Sequence, residues 1–294
     1  MNYILGANHM FLFPESITNE KEHTKTLAKL SESKEIAALD CWLWRGDTAK
    51  EEAKILRASG KIINYNIGDR FGEAPSNPAS PDSRERDEAY SKVMREIEYA
   101  LSLDAKKIVF GSGKDFPLER DAAKERFFEF VMKILGEIPR DVTLAFEPTD
   151  RDIDKFFLYG PLDETVELSK RVRGEGFLNF GILLDMCHVP LMHETLESAI
   201  SKAKTELVHI HLGNCVIKNR ASELYGDKHP SWSFPDGEYS DEDGARFVKM
   251  LKSAGYFERD GATVSFEMRP YPNMSAEESL SRFVKIFKTA ISED

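Results

Sequence analysis

The chain predicts an α/β fold closed into a (β/α)8 TIM barrel, and three observations carry that expectation. Eight short apolar or β-branched runs alternate with amphipathic helical stretches along all 294 residues, which is the pattern of βα units. No Ser/Gly/Pro-rich linker separates two composition regimes and no internal repeat is visible, so residues 1–294 read as a single TIM-barrel domain. Eight units in one domain close most economically into a barrel, with a doubly wound open sheet as the alternative.

Tyr3–Leu5 opens the chain and reads as a strand, because no basic region precedes an apolar core and a small-residue cleavage site there. Ile36–Leu39, Lys61–Tyr65, Lys107–Phe110, Thr143–Phe146, Phe180–Leu184, Leu207–Ile210 and Thr263–Phe266 supply the other seven strands. Between them Tyr90, Val93, Met94, Ile97 and Leu101 recur at helical spacing. Leu280, Phe283, Val284, Phe287 and Ile291 form the last such stripe, opened by Ser275 with Glu278 three residues on. Ser240 and Asp243 give a similar start ahead of Phe247, Met250 and Leu251. Two connections are unusually long: residues 69–83, with Pro75, Pro78 and Pro81, and residues 215–239, with Pro230 and Pro235. Both follow strand C-termini and should lie on one face as lids.

Composition narrows the function classes. Lys+Arg 40 against Asp+Glu 51 leaves a net charge of −11, which disfavours a nucleic-acid partner. Apolar stretches such as Phe177–Leu184 fall far short of the roughly 20 residues of a membrane span, so no membrane partner is expected. Cys41, Cys187 and Cys215 are odd in number and lack CxxC spacing, which argues against a disulfide framework or a thiolate zinc site and for a reducing cytoplasm.

In a (β/α)8 barrel functional groups sit at strand C-termini, and four consecutive strands here end in ionisable groups. Strand five ends Phe146-Glu147-Pro148, strand six Leu184-Asp185-Met186-Cys187-His188, strand seven His209-Ile210-His211-Leu212-Gly213-Asn214 and strand eight Ser265-Phe266-Glu267. Alternation places Ala145 with Glu147, and Ser265 with Glu267, on the lumen face, and turns Phe146 and Phe266 to the helices. Two glutamates, an aspartate and a histidine converging there would crowd three like charges unless a divalent cation neutralised them. Oxygen and imidazole ligands without sulfur suit one Mn²⁺ ion, with Mg²⁺, Co²⁺ or Zn²⁺ as substitutes.

In their order and spacing these motifs resemble the xylose-isomerase-like TIM-barrel superfamily, which holds sugar isomerases, ketose 3-epimerases and abasic-site endonucleases. The likeness spans roughly the C-terminal half; the rest fits only as βα pattern. The resemblance implies that Glu147, Asp185, His211 and Glu267 are the metal ligands and that His188 contacts substrate. It further implies a sugar isomerase or epimerase acting on a keto-sugar through an enediolate, with Glu147 and Glu267 as the acid–base pair. Barrels of this kind associate through their outer helices, so a homo-oligomer is expected.

The abasic-site endonucleases share Asp-x-x-His and add an Asp-x-His that binds a second metal, matched here by Asp227-Lys228-His229. They also place histidines at earlier strand ends, where this chain has Asp40-Cys41-Trp42 and Phe110-Gly111-Ser112. DNA cleavage therefore ranks behind sugar chemistry, and Asp227 and His229 read as lid residues near substrate or as a vestige. A third branch, metal-dependent lyases on oxidised sugars, comprises oxo-sugar acid decarboxylases and C-glycoside deglycosidases, the latter with a small hetero-subunit. For that chemistry Arg151, Lys155 or Arg269 would pair with a carboxylate or phosphate. A non-catalytic sugar-binding barrel is the remaining class.

Lys114, after strand four, either contacts a substrate oxygen or stays solvated. Trp42 and Trp44, with Trp232 and Phe234 of the long connection, either wall a sugar ring or fill the core. Asp185 and His188 have a second reading as an Asx turn entering a helix, and Asn8 with His9 either lines the pocket or caps a turn. His209, one layer deeper than His211, reads as a core histidine.

Overall fold

The computed structural model describes residues 3–68 and 76–293, so residues 69–75 of the expected proline-rich lid, Pro75 among them, lie outside the described residues. Strands β1 (Tyr3–Asn8), β2 (Ala38–Cys41), β3 (Ile62–Gly68), β4 (Lys107–Phe110), β5 (Thr143–Phe146), β6 (Phe180–Asp185), β7 (Leu207–Leu212) and β8 (Ala262–Phe266) are parallel. They pair in chain order, and β8 closes on β1, which rules out the open sheet. Outside them run α1 (His9–Leu12), α2 (Glu20–Ser31), α3 (Gly46–Ser59), α4 (Ser83–Ser102), α5 (Arg120–Glu137), α6 (Leu162–Gly174), α7 (His188–Leu191), α8 (Leu196–Ala203), α9 (Asp241–Ser253) and α10 (Ala276–Ser292). No helix among the described residues is long and apolar enough to cross a membrane.

Several strands reach further toward their C-termini than hydropathy alone predicts. The added stretches bring in polar residues: Asn8 in β1, Asp40 in β2, Asn66 in β3, Asp185 in β6 and His211 in β7. All five are buried where they turn into the lumen, and Asn8, Asp40 and His211 find side-chain partners there on other elements. On β4 to β6, Val109, Ala145 and Leu183 form a small apolar cluster separate from the main core.

The main core lies between sheet and helices. Ala89, Val93, Ile97 and Ala100 are the buried apolar positions of α4, whereas Leu101 drops out of the expected stripe and is exposed. Both expected capping boxes form, Ser240 with Asp243 before α9 and Ser275 with Glu278 before α10. Phe146 meets Phe127 and Tyr159 on the helix side of β5, and Phe266 packs on Phe283 and Phe287 of α10, so each aromatic turns its carboxylate neighbour inward.

Trp232 requires a correction. The connection after β7 does cross the barrel mouth, but its indole does not face the lumen. It is fully buried, edge-on to Phe266 and Phe283, and Nε1 donates to the Gly213 carbonyl at 3.2 Å. Gly244 of α9 makes the slot, since a Cβ there would stand 2.5 Å from the indole ring. Burying so large a ring outweighs leaving it at a wet mouth. Trp42 likewise packs against His23 and Trp44 in the helix layer.

Two substitutions check this packing. Trp232→Ala should cost about 3–5 kcal/mol in urea unfolding. Gly244→Ala should destabilise the wild-type chain despite alanine's helix preference of about 1 kcal/mol, and should cost nothing in the Trp232→Ala background. An equal cost in both backgrounds would contradict the slot.

Candidate functional site

Glu147 follows β5, Asp185 ends β6, His211 lies in β7 and Glu267 follows β8, and one ligand-type atom from each falls within 4.8 Å of all the others. Three of the four are held from behind. Asp185 Oδ1 accepts the Cys187 N–H at 2.6 Å, an Asx turn that frees Oδ2 for the lumen, so turn and ligand geometry coexist. Glu267 Oε1 accepts from Asn8 Nδ2 at 2.6 Å. His211 Nε2 lies 3.1 Å from Asp40 Oδ1. Gly213 makes the crowding possible, because a Cβ there would stand 2.6 Å from Asp185 Oδ1 and 2.8 Å from Cys187 Cβ.

The facing atoms have no such partners. Glu147 Oε1, Asp185 Oδ2, His211 Nδ1 and Glu267 Oε2 are all buried without a hydrogen bond. His211 Nδ1 is 2.5 Å from Glu267 Oε2, 3.5 Å from Glu147 Oε1 and 3.9 Å from Asp185 Oδ2. Burial, reinforced by the neighbouring Glu267, pushes Asp185 well above the usual carboxylate range. Burial would lower His211, but Glu267, Asp40 and Glu147 outweigh it and hold the imidazole well above its ordinary value. Burial also disfavours the Glu147 carboxylate, yet His211 and His188 bring it below the ordinary range.

A second cluster adjoins the first. His188 Nε2 lies 3.1 Å and His229 Nε2 2.6 Å from the same oxygen, Asp227 Oδ1, and Cys187 Sγ donates to it at 3.5 Å. His188 also approaches Glu147 Oε1 at 3.7 Å, and His229 approaches Asp185 Oδ2 at 3.8 Å, so these histidines border the four-residue cage. Burial would raise Asp227, but His188, His229 and Lys155 hold it well below the usual range. The surrounding loops are fastened together. Asp150 accepts the backbone N–H groups of Ile153, Asp154 and Lys155, and Asp154 Oδ2 in turn accepts from the Asp227 N–H and Lys228 Nζ.

Residues 34–286 match the family model described as xylose isomerase-like TIM barrel. The chain belongs to that family. No curated protein matches it in sequence. Among solved structures, a D-tagatose 3-epimerase-like protein superposes with a TM-score of 0.68 at 16% identity, covering 98% of this chain and 100% of that one. A D-allulose 3-epimerase from Methylomonas sp. gives 0.72 at 11% identity, covering 98% of each chain. A family 2 AP endonuclease from Brucella melitensis gives 0.67 at 21% identity, covering 97% and 98%. At these identities the likeness is one of fold.

The other expected contacts are scattered over the family's barrel mouth. Lys114 Nζ donates to the Lys155 carbonyl at 2.7 Å, tying the loops after β4 and β5. Arg151 is taken up by Glu164 at 2.6 Å and Lys155 faces Asp227 at 3.4 Å. Arg269 is half-buried, its backbone N–H on the His229 carbonyl and its Nε on the Lys228 carbonyl at 2.9 Å, with no carboxylate partner among the described residues. Sequence reasoning missed two neighbours of the cage, Asp40 and Phe11, and left open whether Asn8 lines the pocket or caps a turn; it does both. Asn8 both caps α1 through Oδ1 and orients Glu267 through Nδ2. Asp40 stands behind His211, and Phe11 lies on His229 with ring centroids 4.0 Å apart. Asn8 carried a signal in its cap position; the half-buried Phe11 carried none.

Three carboxylates and an imidazole with four buried, unpartnered atoms turned together fit a divalent cation in number and donor type. After chelator treatment, Mn²⁺ at a hundredfold excess over its Kd should stabilise the folded chain by about 2.7 kcal/mol in thermal or urea unfolding. Asp185→Asn should remove most of that increment. The same increment in the variant would exclude Asp185 as a ligand.

Proposed function

We propose that the protein is a divalent-metal-dependent epimerase or isomerase of a small keto-sugar, with Glu147 and Glu267 as its acid–base pair. The observation that carries this reading is the cage: two glutamates from strands three positions apart around the barrel, facing each other across unpartnered Asp185 Oδ2 and His211 Nδ1. Glu147, Asp185, His211 and Glu267 would hold the ion, most simply Mn²⁺ given oxygen and imidazole donors without sulfur. When bound, such an ion acts as a Lewis acid toward a ketone oxygen and the hydroxyl beside it.

The remaining chemistry falls to the chain. One glutamate takes the proton from the carbon next to the carbonyl, and the other delivers a proton to the opposite face, which inverts that centre. His188, both of whose ring nitrogens are held by Asp227 Oδ1 and the Pro148 carbonyl, lines the sugar site beside Glu147 with its ring. Phe11 and His229 present a paired ring surface to the sugar. Arg269, with no carboxylate partner among the described residues, is placed to take an acidic substituent.

In D₂O, Mn²⁺-loaded protein with a panel of neutral, acidic and phosphorylated ketoses should place deuterium on the carbon beside the carbonyl and form a new epimer of unchanged connectivity. Glu147→Gln and Glu267→Gln should each lower kcat by about 10²–10⁴-fold. A product of altered mass would move the reaction to the lyase branch, and exchange surviving both substitutions would remove the glutamates from the mechanism.

One observation favours a second reading. His188, Asp227, His229 and Cys187 offer a second cation set, which phosphodiester hydrolysis would use. Binding of two ions per chain together with cleavage of an abasic-site duplex would establish it. Binding of one ion and no cleavage accords with sugar chemistry.

A further inference from the structure

We infer that Asn66 is a substrate-binding residue that takes a hydroxyl on the part of the sugar away from the cage; this rests on the keto-sugar reading above. Asn66 lies on the lumen face near the C-terminal end of β3 and is 5% exposed. Its Oδ1 is buried without a hydrogen-bond partner. Asn64, two residues earlier on the same face, donates through Nδ2 to Asp40 Oδ2 at 3.1 Å, and Asp40 in turn meets His211. Asn66 therefore sits one lumen position above that contact, toward the mouth, on the strand opposite β7 in the ring of eight. Unlike Asn64, it makes no side-chain hydrogen bond among the described residues. Its register partner on β4 is Val109, part of the apolar cluster, which has nothing to offer the amide.

The backbone is shaped around this side chain. The β3–β4 register slips between Asn66 and Gly68, a bulge at the end of the strand, and Gly68 takes a φ of +61°. Bulges re-aim side chains and recur beside active sites. Of the four strands that face the cage across the mouth, β3 alone presents an unpartnered polar group at this level among the described residues. Asn8 on β1 is committed to Glu267 and to the Met10 N–H. Trp42, after β2, packs into the helix layer. On β4 the next lumen position is Gly111, where a Cβ would stand 3.0 Å from the Phe157 ring. A buried amide oxygen left unmet is costly, and a bound hydroxyl removes that cost. A sugar hydroxyl both donates and accepts, so it meets the amide in either orientation. A keto-sugar whose carbonyl end lies in the cage carries its remaining hydroxyls across the mouth toward β3.

The test uses Mn²⁺-loaded protein and the ketose that exchanges fastest in the D₂O panel, set against its monodeoxy analogues, each lacking one hydroxyl beyond the reacting carbons. Wild type should disfavour one analogue by about tenfold or more in kcat/KM. Asn66→Leu should raise KM for the parent ketose about tenfold with a smaller change in kcat, and should handle the parent and that analogue alike. Asn66→Ala repeats the comparison where leucine overfills the site. Equal use of parent and every analogue by wild type overturns the proposal whether or not a variant folds. Discrimination preserved in Asn66→Leu or Asn66→Ala also overturns it, since that is the result of a resident water or a packing role at this position. Wild type that exchanges no ketose at all is instead the failure of the keto-sugar reading, and removes this inference with it.

Discussion

Three carboxylates and an imidazole are gathered in a buried space at the C-terminal ends of β5 to β8, and much of the architecture is a response to that crowding. Taking one charge out of water costs several kcal/mol even after relaxation, and like charges add to it. The chain meets this by bonding three of the four groups from behind: Asn8 on Glu267, the Cys187 N–H on Asp185, Asp40 on His211. Each bond consumes one polar atom and aims the other at a common point. Small residues supply the room, Gly213 beside Asp185 and Gly6 beside Ser265.

The loops above extend the same logic. Asp150 and Asp154 fold the connection after β5 into a tight knot that grips residues 226–228 of the connection after β7. That grip carries Asp227 and His229 to the rim, where they fix His188 within reach of Glu147. Trp232 then roots the same connection in the helix layer. A connection that looks like a lid by its length is a packed structural piece, and its polar residues border the site because its aromatic one is buried.

The barrel was legible because βα alternation and helical stripes are local signals, and the cage was legible because Glu147, Asp185, His211 and Glu267 close short motifs at four successive strand ends. Strand lengths were less so: Asn8 and Asp40 look like loop residues to a hydropathy reading, and only barrel closure reveals their lumen partners. Asp40 marked a missing histidine in sequence, whereas its contact with His211 spans 171 residues and no local pattern encodes it. The path of the indole of Trp232 was hidden for the same reason, since the glycine that admits it lies on another element.

The proposed function requires the cation to sit in the cage of Glu147, Asp185, His211 and Glu267. Anomalous diffraction at the manganese edge from crystals soaked in Mn²⁺ reads that directly. The expected result is a peak among Glu147 Oε1, Asp185 Oδ2, His211 Nδ1 and Glu267 Oε2, at about 2.0–2.2 Å from each. A peak confined to His188, Asp227 and His229, or no peak in the barrel mouth, would contradict it.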